Sequence, residues 1–535
     1  MNEVAKAQAV RILVSDAIAA EGVELLGKAP GFDVTIDTAM SAVQLAETIG
    51  RYDGLIVRSA TKVTAGVLDH PGRLKVIGRA GTGVDNIDLE AATRAGIVVM
   101  NTPGGNSVAA AELTLSHLMA LARNLPQANA DLRAGHWERK RYTGIEIAGK
   151  VLGIVGLGRI GREVARRAKG LRMEVLGFDP FVSRDAAAKM GIEYAALDDL
   201  LSRSDFVTLH VPLTDETRHL IDARTLGRMK KGARLINCAR GGLVDERALL
   251  DALESGHLAG AGLDVFESEP PSESRLIEHP NVVSTPHLGA STIEAQQRVG
   301  IEIAEKVRDF FVGGVILDAV NFPSIDREEH AALGPVMDLA ERLGRFLAQV
   351  VEGGFCKLEL RCFGEFVDRP LKPLVMAATK GLLMAGREGG VSFVNALSLA
   401  GERGITVSEG RSSEATPYAG LMRLTLTTDR DTATVAGTLY GPEHPKLVEV
   451  DGVPIECRPE GHLLLLRNQD VPGVVGRIGT LLGEASVNIA GIQLGRFRPG
   501  ENAVSIISVD SAVPPAVLAA IRALPQILVV RAISV

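Results

Sequence analysis

The chain has 535 residues, room for roughly three or four domains. Hydrophobic residues make up 46% but aromatics only 4%, so the cores must be built from Val, Ile, Leu and Ala, as in α/β proteins. A net charge of −7 with no long run of one sign argues against nucleic acid or an anionic membrane as the main partner; an anionic small molecule would need a local cluster of arginines.

The first hundred residues alternate short apolar runs with helical patterns. Val10 to Val14 reads as a strand, and Leu55 to Val57 as another ending on Arg58. Val76-Ile77 leads to Arg79 and the turn Gly81-Thr82-Gly83, and Val98 to Met100 ends on Asn101-Thr102-Pro103. Alternating strands and helices predict a parallel sheet, whose ligands collect beyond the carboxyl ends of the strands. Arg58, Arg79 and the segment Asn101 to Ser107 stand at such ends and are candidates for holding a charged small molecule. Ser107 to Asn124 has helical periodicity, ended by Pro126 and the polar stretch beyond. Gly135 to Arg141 then sets a basic cluster beside Trp137, suited to a phosphate, a subunit interface or plain solvent.

Lys150 to Asp179 carries the most specific local signal. The apolar run Val151 to Val155 breaks at Gly156, Gly158 and Gly161, and a helical pattern follows with Val164, Ala165 and Ala168 on one face. A second apolar run, Val175 to Phe178, ends on Asp179. Strand, glycine turn, helix, strand and acid form a dinucleotide fingerprint. Gly156 permits the tight turn, Gly158 lets backbone approach a pyrophosphate, and Gly161 lets helix pack on strand. The helix N-terminus favours the phosphates. Asp179 can accept hydrogen bonds from both ribose hydroxyls and would repel a 2′-phosphate, predicting NAD over NADP; Arg184 nearby could soften that preference. The earlier Gly81-Thr82-Gly83 has Asn86 at the third glycine position and no acid-terminated unit, so it reads as a substrate-side turn.

Four further strands end in polar groups: Phe206 to Pro212, Ala233 to Gly242 with Arg240, Ala259 to Val265 with Asp264 and then Glu267 and Glu269, and Val282 to His287. Arg240, Asp264, Glu269 and His287 should face one crevice. A guanidinium can grip a substrate carboxylate with two bonds and polarise the neighbouring oxygen. His287 can exchange a proton with a substrate hydroxyl while hydride moves to or from the nicotinamide. A glutamate beside His287 would favour the imidazolium and fix the ring. Spacing alone leaves Glu267 and Glu269 in competition for that place. Asp264 could accept a hydrogen bond from the nicotinamide carboxamide. Cys238 reads as a small packed residue, since hydride transfer needs no nucleophile. With Cys356, Cys362 and Cys457 it forms neither a CxxC nor a zinc spacing, so no metal and a reducing compartment are expected. No apolar run approaches the roughly 18 residues of a membrane span. The first residues carry no apolar signal core, and a cytoplasmic location is expected.

The set GLGRIG, NCARGGLVDE, AGLDVFESEP and TPHLGAST closely resembles the D-isomer-specific 2-hydroxyacid dehydrogenases. With RAGTGVDNID, NTPGGNSVAAAELT and HWERK it is similar to the long-form members that oxidise 3-phospho-D-glycerate with NAD. The resemblance implies a catalytic set of Arg240, Glu269 and His287, with Glu269 chosen over Glu267. It implies cofactor contacts at Thr82, Gly156, Gly158, Arg159, Ile160, Gly161, Asp179, Cys238, Ala239, Arg240, Asp264, His287 and Gly289. Arg58, Arg79, Asn101 and Ser107 would hold the substrate, with Arg139 reaching in from a partner subunit. The implied architecture is α/β: a doubly wound Rossmann-type sheet (103–289) inserted in a flavodoxin-like substrate domain (1–102 and 290–321).

Residues 322–456 resemble an intervening regulatory domain, seen from the residues alone only as an α/β module without catalytic motifs. Residues 457–535 run strand, helix, strand, strand, helix, strand, and resemble an ACT domain, a module that commonly binds amino acids between paired copies. Asn468, Asp470, Gly473 and Asn488 match its ligand positions, and L-serine, as the pathway end product, is the expected effector; the resemblance also implies a homotetramer, with one contact through the cofactor domain and another through the tail. Some members carry an aromatic where Asn468 stands. Two other readings remain: a reductase of another 2-oxoacid such as 2-oxoglutarate or glyoxylate, and an NAD-sensing corepressor on the same fold.

Overall fold

The computed structural model describes residues 9–271, 275–323, 327–385, 390–441 and 443–535. The segment read for a leader begins at residues 1–8, and the junction expected after 321 runs into 324–326; both stretches lie outside the described residues.

The first sheet has five parallel strands: β1 (Val10–Val14), β2 (Phe32–Ile36), β3 (Gly54–Val57), β4 (Val76–Arg79) and β5 (Val98–Met100), in the order β2-β1-β3-β4-β5. β3 is buried along its whole length, which is why it reads as a continuous apolar run rather than an alternating one.

After β5 the chain enters the helix Ser107–Arg123, which packs on a second parallel sheet. That sheet comprises β6 (Val151–Val155), β7 (Glu174–Phe178), β8 (Glu193–Tyr194), β9 (Phe206–Leu209), β10 (Arg234–Asn237), β11 (Gly260–Leu263) and β12 (Val282–Ser284). Its order, β12-β11-β10-β9-β6-β7-β8, reverses direction between β6 and β9, and such a switch point opens a crevice. The helix Arg159–Gly170 buries Gly161, Val164, Ala165 and Ala168, a spacing that places all four on one helical face. The helix Ile293–Gly313 then returns to lie on β4 and on the helix Ala20–Gly27.

Contrary to the expectation from the sequence, Pro126 does not end helical structure. Asn124, at φ 51°, ends the first helix in the left-handed conformation that Asn tolerates, and a second helix, Leu125–Arg133, starts at once with Pro126 in its first turn.

A mixed third sheet is formed by β13 (Phe355–Gly364), β14 (Thr406–Ser412), β15 (Gly420–Thr428), β16 (Thr432–Tyr440), β17 (His444–Val450) and β18 (Val453–Cys457), with the helices Arg327–Ala348 and Leu371–Met384 against it. The last sheet holds β19 (His462–Gln469), β20 (Ile489–Arg496), β21 (Asn502–Val509) and β22 (Ile527–Ser534) in the order β20-β21-β19-β22. Its helices are Val474–Glu484 and Pro515–Arg522, completing the βαββαβ order.

The cores divide unevenly. The second sheet has its own clusters, one around Val207, Leu235 and Leu249, another around Ile154, Val164 and Phe206. The first and fourth sheets also have clusters of their own, around Leu55 and Ile77 and around Leu464 and Ile478, and another cluster runs from Ile12 and Val14 through Val307, Leu343 and Leu360 to Leu463 and Ile533. It joins the first, third and fourth sheets. Asn395 adds a polar tie, donating through Nδ2 to the carbonyl of Arg94 at 3.3 Å.

Candidate active site

The strand ends of the first two sheets face each other across a cleft of about 730 Å³. Arg79, Thr82, Asn101, Arg159, Ile160, Cys238, Ala239, Arg240, His287 and Gly289 line it, beside Asp85, Asn106 and His210. Arg58, Ser107, Arg139, Asp179 and Asp264 do not line this cavity.

Two guanidiniums meet at the loop 81–83. A Cβ on Gly81 would stand 1.8 Å from Arg79 Nη1, and one on Gly83 would stand 1.9 Å from Arg240 Nη2. The loop can therefore lie under both cations only because these positions have no side chain. Arg240 pairs through Nε with Asp85 Oδ2 at 2.8 Å and donates from Nη1 to its neighbour's carbonyl, Ala239 O, at 2.6 Å. Arg79 Nε is buried with no hydrogen-bond partner. Burial, and then repulsion from Arg240, pulls the Arg79 guanidinium down to about 10, with Arg58 adding to the repulsion and Asp85 opposing it. It is still a cation at neutral pH. Arg79 and Arg240 on the cleft wall, with Arg58 near enough to repel Arg79, make a place for an anion.

Opposite them, His287 Nδ1 lies 2.8 Å from Glu269 Oε2, while Glu269 Oε1 accepts from the backbone N–H of Phe266 at 3.2 Å. Glu267 is engaged elsewhere, with His219 Nε2 at 3.1 Å and the N–H of Glu246 at 3.4 Å. The two glutamates that spacing could not separate thus have different partners. His287 sits at φ 54°, left-handed backbone that a non-glycine residue adopts at a cost. Its N–H donates to Asp264 O at 2.9 Å and to Thr285 O at 3.0 Å.

Asp264 departs from the expectation that it faces the crevice. It is fully buried. Its Oδ1 accepts from Thr285 Oγ1 at 2.6 Å and from the N–H of Leu288 at 2.7 Å, and Oδ2 accepts from the N–H of Gly289 at 2.9 Å. A carboxylate removed from water needs such donors, and here they come from the turn that carries His287. Cys238 is buried, and that burial pushes its thiol upward, leaving a neutral packed group. His210, desolvated at the cleft wall, is lowered to about 3 and stays neutral. Its Nε2 is 3.1 Å from Thr208 Oγ1.

The glycine turn fits a dinucleotide. Gly156 has φ 98°, and a Cβ on Gly161 would stand 2.0 Å from the Gly156 carbonyl oxygen, so helix and turn touch. A Cβ on Gly158 would meet nothing within 4 Å, so this face is open to a ligand. No side chain caps the helix that begins at Arg159, leaving its first N–H groups to the ligand. Asp179 closes β7, with Oδ2 accepting from the N–H of Leu157 at 2.9 Å and Oδ1 from that of Phe181 at 2.9 Å. These bonds seat the carboxylate beside the turn and leave it further lone pairs. Arg184, which could soften cofactor preference, stacks over Tyr194 at 5.9 Å.

Among the remaining expected substrate residues, Asn101 donates through Nδ2 to Thr82 O, 2.5 Å away. Thr82 Oγ1 donates to Asn106 Oδ1 at 2.6 Å, so the two loops are laced together. Ser107 is buried at the start of its helix and its Oγ has no partner. Arg139 is exposed, in the same stretch as Trp137, itself 73% exposed.

In the last module the expected effector residues are occupied within the chain. Asp470 pairs with Arg496 and accepts from the N–H of Gly500 at 3.1 Å, bonds that hold its carboxyl below the usual range. Asn488 Nδ2 donates to Asp510 Oδ2 at 2.6 Å. Asn468 is buried, with its Oδ1 accepting from Ser505 Oγ at 3.2 Å, so its side chain belongs to the sheet rather than to an open pocket. Gly473 has φ 90° and caps the helix Val474–Glu484.

Sequence reasoning missed Asp85, His210 and His117. Asp85 lay inside the RAGTGVDNID motif without being singled out, His210 ended an expected strand, and His117 lies inside a helix on its apolar face. Among the described residues no cluster could hold a metal ion, and no helix is long and apolar enough to cross a membrane.

Residues 115–289 match the D-isomer specific 2-hydroxyacid dehydrogenase NAD binding domain, residues 332–451 the D-3-phosphoglycerate dehydrogenase intervening domain, and residues 462–526 the ACT domain. The D-3-phosphoglycerate dehydrogenase of Methanocaldococcus jannaschii is 42% identical over 97% of this chain and 98% of its own length. That of Bacillus subtilis is 40% identical over 98% of this chain and 99% of its own. Among solved structures, a glyoxylate reductase from Paecilomyes thermophila covers 58% of this chain and 98% of its own, at 32% identity and a TM-score of 0.54.

Proposed function

The chain belongs to the D-3-phosphoglycerate dehydrogenases, the long form of the D-isomer-specific 2-hydroxyacid dehydrogenase family, and on that premise we propose how its own residues carry the reaction. It oxidises 3-phospho-D-glycerate to 3-phosphooxypyruvate with NAD, the step that opens serine biosynthesis.

Arg240 exchanges Asp85 for the substrate carboxylate and polarises the adjacent oxygen. Arg58 and Arg79 hold the phosphate, with Asn101 and Ser107 at its edge and Arg139 supplied by a partner subunit. His287 has Nδ1 on Glu269, so Nε2 is the end that takes the hydroxyl proton. Glu269 steadies the ring and the charge it gains. NAD, held in this crevice, would supply the acceptor for the hydride. Asp179 receives the ribose hydroxyls, and the turn 156–161 and Arg159 receive the pyrophosphate.

The observation that carries this reading is the His287–Glu269 pair across one cleft from the Arg79–Arg240 cations. The experiment is NADH formation from 3-phospho-D-glycerate against a panel of 2-hydroxy acids lacking the phosphate. Preference for glycolate, lactate or 2-hydroxyglutarate would favour the 2-oxoacid reductase, and NAD binding without any turnover would favour the corepressor.

L-serine is the proposed effector at the ACT module. A homotetramer is the proposed assembly, supported by exposed apolar groups in two places: Leu125 and Leu132 at 55% and 56%, and Phe497 at 64%. Sedimentation of the full chain tests it; a monomer would refute it. Four unpaired cysteines accord with residence in the cytoplasm.

A further inference from the structure

A buried chain of side chains reaches the His287 turn from behind. His117 is 2% exposed, in the middle of the helix Ser107–Arg123. Its Nε2 lies 2.9 Å from Thr285 Oγ1, which donates onward to Asp264 Oδ1 at 2.6 Å. Because that hydroxyl spends its one proton on Asp264, it can only accept from His117. The ring is therefore the Nε2–H tautomer, and its Nδ1 is buried without a partner. Burial also keeps this imidazole neutral, overcoming the pull of Asp264.

Space for the ring is provided on β11. A Cβ on Gly262 would stand 3.0 Å from His117 Cβ and 3.2 Å from its Nδ1. Two residues on, Asp264 takes the N–H groups of Leu288 and Gly289, the two residues that follow His287. The backbone of His287 is left-handed, a conformation that persists only where surrounding bonds over-determine it. Those bonds come from Asp264 and Thr285, and His117 completes the hydrogen bonding of Thr285.

We propose that His117 is a positioning residue: through Thr285 and Asp264 it sets the turn that presents His287, and so ties the helix Ser107–Arg123, which begins at the substrate loop 101–106, to the proton-transfer group. The inference rests on His287 being that group.

The test uses the full-length enzyme with NAD and 3-phospho-D-glycerate. His117→Leu removes the donor and keeps the volume; His117→Gln keeps a donor near the ε position; Thr285→Val breaks the link at its other end. A turn displaced by a fraction of an ångström costs rate rather than cofactor affinity. His117→Leu should lower kcat about tenfold or more, with the KM for NAD within about twofold. His117→Gln should recover most of the loss. The double variant His117→Leu with Thr285→Val should be no slower than Thr285→Val alone, as expected of one coupled path. A kcat for His117→Leu within about twofold of wild type, or a His117→Gln enzyme as slow as His117→Leu, would overturn the inference. If His117→Leu does not fold, the Thr285→Val and His117→Gln pair decides by the same kcat comparison. His287→Ala is the control: if it still turns over, the reading of the site fails; if it is dead while His117→Leu is normal, only this inference fails.

Discussion

The cleft between the first two sheets and the ligand corner of the last module both carry motif residues, but they spend their hydrogen bonds differently. In the cleft, Arg79 Nε is buried without a partner, and Arg240 is held only by its neighbour's carbonyl and by one carboxylate, Asp85, 66% exposed. In the C-terminal module Asp470, Asn488 and Asn468 are each bonded to a neighbour in their own chain. A site with unspent donors is ready for its ligand. A site whose groups are satisfied must exchange partners, and pairing of two copies is one way to bring that about. The difference teaches that matching residues locate a site, whereas leftover bonding capacity shows whether a single chain has finished building it.

The sharpest way to break this contrast is at His287. His287→Ala should lower kcat by about 10²–10⁴-fold, the usual worth of a positioned acid–base group, while calorimetric NAD affinity stays within a few-fold. Retained turnover would mean that the cleft is not the finished site. Next come the two glutamates. Glu269→Gln should cost about tenfold or more in kcat, because it replaces a charged hydrogen bond to His287. Glu267→Gln, which touches His219 and Glu246 instead, should stay within about twofold. Equal losses would erase the distinction drawn from their partners.

Asp179→Ser comes third. Loss of the carboxylate should narrow discrimination between NAD and NADP by roughly tenfold, read as the ratio of kcat/KM values; an unchanged ratio would remove Asp179 from cofactor choice. The smallest signal is expected in the last module. Serine titrated into the full-length oligomer should give binding heat that Asp470→Ala abolishes. Heat that persists in the variant would place the effector elsewhere, and no heat in the wild type would remove the effector.

Much of the cleft was legible because its signals are local. Gly156, Gly158, Gly161 and Asp179 act within one strand-turn-helix-strand unit, and their physical reasons are visible in thirty residues of sequence. Arg79, Arg240 and His287 could be placed because strand ends of parallel sheets gather on one edge. What escaped depends on direction and depth. Glu267 and Glu269 are two residues apart on one loop, and only their bonds tell them apart. Asp264 sits where a motif acid should meet a ligand, yet the buried N–H groups of residues 288 and 289 claim it first. Pro126 looked like a terminator because a proline breaks a helix in its interior, whereas the left-handed Asn124 had already ended that helix. His117 had no signal at all, since a histidine within an apolar helical face does not announce what lies across the interface.

The apolar cluster that runs from Ile12 to Ile533 has a mechanical consequence. Three of the four sheets are welded through one interior, while the nucleotide half keeps separate interiors and joins them through the crossings near 101–107 and 285–293. The C-terminal module and the substrate floor therefore share an interior that the nucleotide half does not, and a shift in the one would be passed to the other through close-packed side chains.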